Sequence, residues 1–156
     1  MISRRRFLVQ AAGAGVALAG GGRLWAYSAV GGPVRLTIYK SPTCGCCVKW
    51  VDHVKAAGFE TVVHDHDDMT AVKDNLGVPR DLRSCHTSQV EKYLIEGHVP
   101  AEDIRRLLAE RPKVVGLAVP GMPSSSPGMA VPGDPHEPFE VLAFNQDGTT
   151  EIFARH

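Results

Sequence analysis

The chain has 156 residues, about one domain's worth, with 17 Lys+Arg against 17 Asp+Glu and 44% hydrophobic residues. That composition is globular rather than disordered. Residues 1–28 hold four arginines and no acid, so the rest carries 13 basic and 17 acidic residues, a net of −4. A mildly acidic body argues against a nucleic-acid binder, which needs a basic stripe, and no apolar run reaches the roughly 18–20 residues of a membrane span.

In chain order, residues 1–28 come first. A basic cluster precedes the glycine-diluted apolar run Ala11–Gly22, and small residues follow near Ala26–Ala29. This is the pattern of an export signal. Ser3-Arg4-Arg5-Arg6-Phe7-Leu8 resembles the twin-arginine motif, which implies a body, residues 29–156, exported already folded to the periplasm. Thiols there face oxidising conditions.

Val34–Lys40 alternates apolar and polar residues and predicts a strand. After Ser41-Pro42-Thr43, a helical pattern runs from Cys46 to Ala57, with Cys47, Val51 and Val54 on one face and His53 on a polar face. Phe59–Asp65 predicts a second strand. Asp67 or Asp68 can cap a short helix lined by Met69, Val72 and Leu76, which Gly77 and Pro79 end. This strand–helix–strand–helix order favours a parallel pair with a right-handed crossover. Gln89–Glu96 predicts one short strand, and Pro100 opens a helix to Glu110 that buries Ile104, Leu107 and Leu108. Gly116–Pro135 reads as a loop rich in Gly, Pro and Ser. Phe139–Phe144 and Thr149–Phe153 flank a turn and predict a terminal hairpin.

Three of the four cysteines stand together as Cys44-Gly45-Cys46-Cys47, between a strand and the start of a helix. Unpaired N–H groups and the helix dipole there stabilise thiolates, which act as nucleophiles and as metal ligands. Cys44 and Cys47 have the spacing of a redox dithiol. A third thiol spoils a clean two-electron cycle, because it offers wrong disulfides. The same crowding suits a thiophilic ion such as Cu(I), and sulfurs this close can bridge more than one ion. The fourth thiol, Cys85, is followed by His86, so that segment supplies two soft or borderline donors at once. Further candidate donors are His98, Met122, Met129 and His136. The run His64-Asp65-His66-Asp67-Asp68 reads either as a metal site or as a solvated turn.

The segments TIYKSPTCGCCVKW (37–50), LGVPRDL (76–82), SCHT (84–87), YLIEGHVPAEDIRRLLAERP (93–112) and GLAVPGMPSSSPGM (116–129) resemble the CopG-type family of periplasmic proteins, long catalogued as a domain of unknown function and associated with copper resistance. Ser124-Ser125 depart from the Val-Gly pair often found at that point in the loop. The resemblance implies an α/β, thioredoxin-like fold, modified here by a long Gly/Pro/Ser/Met loop; Gln89–Glu96 and Phe139–Phe153 compete to supply its hairpin strands, so part of Pro79–Pro138 reads as an inserted segment. It also implies copper held by Cys44, Cys46, Cys47 and Cys85, and beyond them by His98, Met122 and Met129. The expected function is copper handling, with periplasmic copper donors or acceptors as partners. A thiol–disulfide oxidoreductase working through Cys44 and Cys47 is the alternative from the enzyme class. A structural zinc module is the third, although closed zinc sites usually draw on two separated ligand pairs.

Overall fold

The computed structural model describes residues 32–156. The predicted export signal lies outside the described residues. Among those described, no helix is long and apolar enough to cross a membrane. Seven strands form one mixed sheet, accompanied by three α-helices: β1 (Arg35–Lys40), α1 (Gly45–Ala56), β2 (Glu60–Asp65), α2 (Met69–Leu76), β3 (His86–Val90), β4 (Tyr93–Glu96), α3 (Ala101–Glu110), β5 (Gly116–Ala118), β6 (Glu140–Phe144) and β7 (Thr150–Arg155). The sheet order is β2-β1-β3-β4-β5-β6-β7. β1 runs parallel to β2 and β4 to β5, and every other neighbouring pair is antiparallel.

The predicted β1–α1–β2–α2 opening is present. Asp68 caps α2, accepting from the Ala71 N–H, and Gly77 closes it in the left-handed region at φ 73°. Lys73 is the fully buried residue of α2, where Met69, Val72 and Leu76 are only half-buried.

Gln89–Glu96, predicted as one strand, instead turns back on itself: Gln89 and Val90 end β3, and Tyr93–Glu96 form β4 of a hairpin. Val90 pairs with Tyr93 across a two-residue turn, and Glu91 takes φ 50°. Such turns usually advertise themselves with Asn-Gly or Asp-Gly, and Glu-Lys does not. The predicted loop contains strand β5, whose Gly116 passes so close to the Leu94 carbonyl that any Cβ would collide with it. The expected inserted segment is corrected as well. From β3 to β7 the strands add across the sheet in chain order, so the extra strands extend the sheet after α3 rather than interrupting it.

Alternation along the strands divides the core between the two faces. Leu36, Ile38, Tyr93 and Ile95 pack with Trp50, Val54, Ile104 and Leu107 of α1 and α3. Leu94, Ala118 and Phe144 pack on the other face with Val78 and Leu82, next to Leu76 of α2. Both faces of β4 are therefore buried, and its last residue, Glu96, is wholly inside.

Candidate metal centre

β1 ends at Lys40, and a turn closed by the Cys44 N–H to the Ser41 carbonyl (3.1 Å) makes Cys44 the N-cap of α1. Cys46 and Cys47 then fall in the first turn of the helix. Cys47 points into the core, whereas Cys44 and Cys46 are half-buried. Cys44 and Cys47 are joined as a disulfide, and Cys46 and Cys85 are free thiols. Cys46 Sγ lies 3.4 Å from Cys44 Sγ.

Cys85 arrives from the segment just before β3, the strand that pairs antiparallel with β1. The pairing of Lys40 with His86 sets Cys85 beside the strand end that leads to the cysteine turn. All four sulfurs lie within 4.8 Å of one another. The predicted convergence of the distant cysteine with the other three is thus observed.

Two imidazoles enter the same cluster. His98 Nε2 stands 3.1 Å from Cys85 Sγ, and His86 Nδ1 stands 3.3 Å from it. Donor atoms of Cys47, Cys85, His86 and His98 form a second group within 4.8 Å, sharing Cys47 and Cys85 with the four-sulfur group. Ligands about 2.0–2.3 Å from a shared ion would stand roughly 3–4 Å apart, so the observed spacings suit metal binding. The donors are soft or borderline, which favours Cu(I) or Zn(II) over hard cations. His86 Nε2 is buried with no hydrogen-bond partner.

α1 also fixes the approach of His98. Trp50 Nε1 donates to the Val99 carbonyl (2.9 Å), and the Trp50 ring lies against His86 with centroids 4.3 Å apart. His53, expected to be solvated, is half-buried and accepts from the Ala101 N–H (3.1 Å), satisfying an orphan donor at the start of α3. The Gly/Pro/Ser loop covers the site from the other side. Buried Ser126 brings its Oγ to 3.4 Å from His98 Nδ1. Gly128 has φ 89°, and a Cβ there would meet the Cys46 carbonyl and the Trp50 N at 2.8 Å.

Burial dominates the electrostatics. It pushes the Cys85 thiol up to about 12, with Cys46 adding to the shift, so Cys85 holds its proton at neutral pH. Burial draws His98 down to about 4 and His86 well below its ordinary value, and the neighbouring His98 and the Lys73 ammonium disfavour a charge on His86 further. Both rings are neutral near pH 7 and have lone pairs to offer.

Of the other candidates, Met129 is half-buried next to Gly128, while Met122 and His136 are exposed. The His64–Asp68 run lies at the exposed end of β2 and beyond, with His64 stacked on Tyr39 and Asp65 paired to Lys40 at 2.6 Å. It contributes to neither donor group. The pair Lys73–Glu96 was not visible as part of this region in the sequence. Its one signal is an acid at the end of a buried apolar strand.

Residues 82–129 match the family described as "Protein of unknown function, DUF411". No curated protein matches the chain. Two solved structures, described as copper resistance protein copG in Form 1 and Form 2, are each 42% identical to it. Each match covers 80% of this chain and 98% of theirs, with a TM-score of 0.74. With that identity over nearly the whole length of those proteins, the chain belongs to the CopG-type copper-resistance family.

Proposed function

We propose that this protein handles copper in the periplasm after twin-arginine export, holding Cu(I) at Cys44, Cys46, Cys47 and Cys85. The observation that carries the reading is the convergence of four sulfurs within 4.8 Å, with two imidazole nitrogens directed at one of them. Thiolate is the preferred ligand of Cu(I), and sulfurs so close can bridge more than one ion. His98 and His86 complete the donor set on the buried side. Met122 and Met129 supply thioethers from the loop, a ligand type that persists where thiols oxidise. The fold that carries the site is thioredoxin-like in its β2-β1-β3-β4 portion, with α1 starting at the cysteines.

Binding is coupled to thiol chemistry. An external disulfide, by thiol–disulfide exchange, takes up the two electrons as the Cys44–Cys47 bond closes and two thiolates leave the ion, and an external dithiol reduces the bond and restores them. Cys85 gives up a proton when it becomes a ligand, so uptake is linked to proton release. The ion exchanges with copper donors or acceptors in the same compartment. The test is titration of the anaerobically reduced protein with Cu(I) against a chromophoric chelator. The account predicts affinity well below micromolar, and failure to compete refutes it.

A second reading is supported by the disulfide at the N-terminus of α1: a thiol–disulfide oxidoreductase using Cys44 and Cys47. It predicts catalysed reduction or oxidation of a disulfide substrate, abolished in Cys44→Ser, with no requirement for Cys85 or His98.

A further inference from the structure

α2 packs on the face of the sheet opposite α1 and α3, and there Lys73 and Glu96 form an ion pair at 2.5 Å with side chains 5% and 0% exposed. A buried ion pair is weak support for stability, because desolvation offsets the attraction. Its hydrogen bonds show what else it does. Glu96 Oε1 accepts the Ser84 backbone N–H at 2.6 Å, and Oε2 accepts the Thr87 hydroxyl at 2.6 Å. Lys73 Nζ donates to Thr87 Oγ1 at 2.8 Å. Ser84 and Thr87 flank Cys85 and His86 on either side. Glu96 itself is two residues from His98, and the Gly97 N–H between them donates to the His86 carbonyl at 3.0 Å. Gly97 has φ 71°, and the space its Cβ would occupy is filled by Ser84. One carboxylate thus ties both flanks of the Cys85-His86 segment to the strand that continues into His98.

We propose that Glu96, held by Lys73, is a positioning residue for the metal site: it sets Cys85 and His86 against His98 from the far side of the sheet. The effect on copper rests on the metal-site reading above. The effect on Cys85 does not. A shift of the segment by even one residue would carry the Thr87 hydroxyl away from Glu96 Oε2, so the register of the two donors is fixed where no ligand is present. Outer partners of this kind commonly set metal affinity without touching the ion.

The test uses paired variants with the metal-free and the copper-loaded protein. Lys73→Met with Glu96→Leu replaces both charges by apolar groups, a change that buried pairs generally tolerate in stability. Lys73→Met with Glu96→Gln keeps a carbonyl that can accept the Ser84 N–H. In the metal-free protein, peptide mapping after iodoacetamide treatment reads the alkylation rate of Cys85 against that of Cys46. The Leu pair is expected to raise the Cys85 rate about tenfold or more through local opening, leaving Cys46 unchanged. It is also expected to weaken Cu(I) binding about 10–100-fold, with the Gln pair restoring most of both. Thr87→Val cuts one flank and leaves the ion pair intact, and it should speed Cys85 alkylation about threefold or more even if the Leu pair does not fold. A wild-type Cys85 rate in any folded Leu-pair or Thr87→Val protein overturns the proposal. If the wild type fails to bind Cu(I) while the Cys85 rates respond as stated, the copper reading falls and the positioning role of Glu96 stands.

Discussion

Cys85 Sγ stands 3.1 Å from His98 Nε2, although thirteen residues separate them in the chain. The β3–β4 hairpin makes this possible. Cys85 precedes its first strand and His98 follows its second, so folding the hairpin closes the pair. The same hairpin lies beside β1, whose end feeds Cys44, Cys46 and Cys47 into the cluster. The site is therefore a consequence of strand order.

His98→Phe keeps a planar ring in the pocket and removes both nitrogens. Its expected effect is a fall in Cu(I) affinity of at least the roughly 10–100-fold that losing an outer partner costs, with little change in fold. Chelator competition measures the first and circular dichroism the second. Unchanged affinity would show that His98 only packs.

The metal-free protein should lose stability on mild acidification. His98 titrates at about 4 in the fold against 6.5 when exposed, and His86 shifts in the same direction. Between those values the unfolded chain binds more protons than the folded one, so the histidine contribution to stability falls as pH drops from about 6.5 to about 4 and is flat above that window. At about 1.4 kcal/mol per unit, His98 alone accounts for a loss of up to about 3 kcal/mol by pH 4. Urea midpoints across the window measure it. His98→Phe should flatten the slope, and a midpoint constant from pH 7 to pH 4 would contradict the assignment.

Gly128→Ala should loosen the loop over the site. The residue needs φ 89°, and a methyl group there meets the backbone of Cys46 and Trp50. The expected loss is about 1–3 kcal/mol, read by urea unfolding, with weaker Cu(I) binding because Ser126 no longer seats against His98. An alanine protein with wild-type stability and affinity would show that the loop does not depend on this contact.

Much of this was legible in the sequence, for identifiable reasons. The Cys44–Cys47 cluster sits at a strand-to-helix junction that alternation and a turn made plain, and Asp68 and Gly77 are residues whose chemistry marks helix ends. Other features carried no local signal. The Glu91-Lys92 turn lacks the glycine or asparagine that announces a hairpin, so Gln89–Glu96 reads as one strand across it. Nothing local marks Lys73 as buried, because its burial depends on Glu96, 23 residues away. His156, uninformative at a chain end, pairs with Asp103 at 2.7 Å and stacks on Phe139. In each case a partner distant in sequence decides the environment.

The most direct test of the central claim is a metal count and a Cu(I) affinity on anaerobically reduced wild type beside Cys85→Ser. If one centre draws on all four sulfurs, wild type carries copper tightly. The serine variant, still folded, then loses copper or binds it more weakly by over the roughly 10–100-fold that an outer partner costs. Equal copper content and equal affinity in the two proteins would contradict the account, because Cys85 would then lie outside the centre.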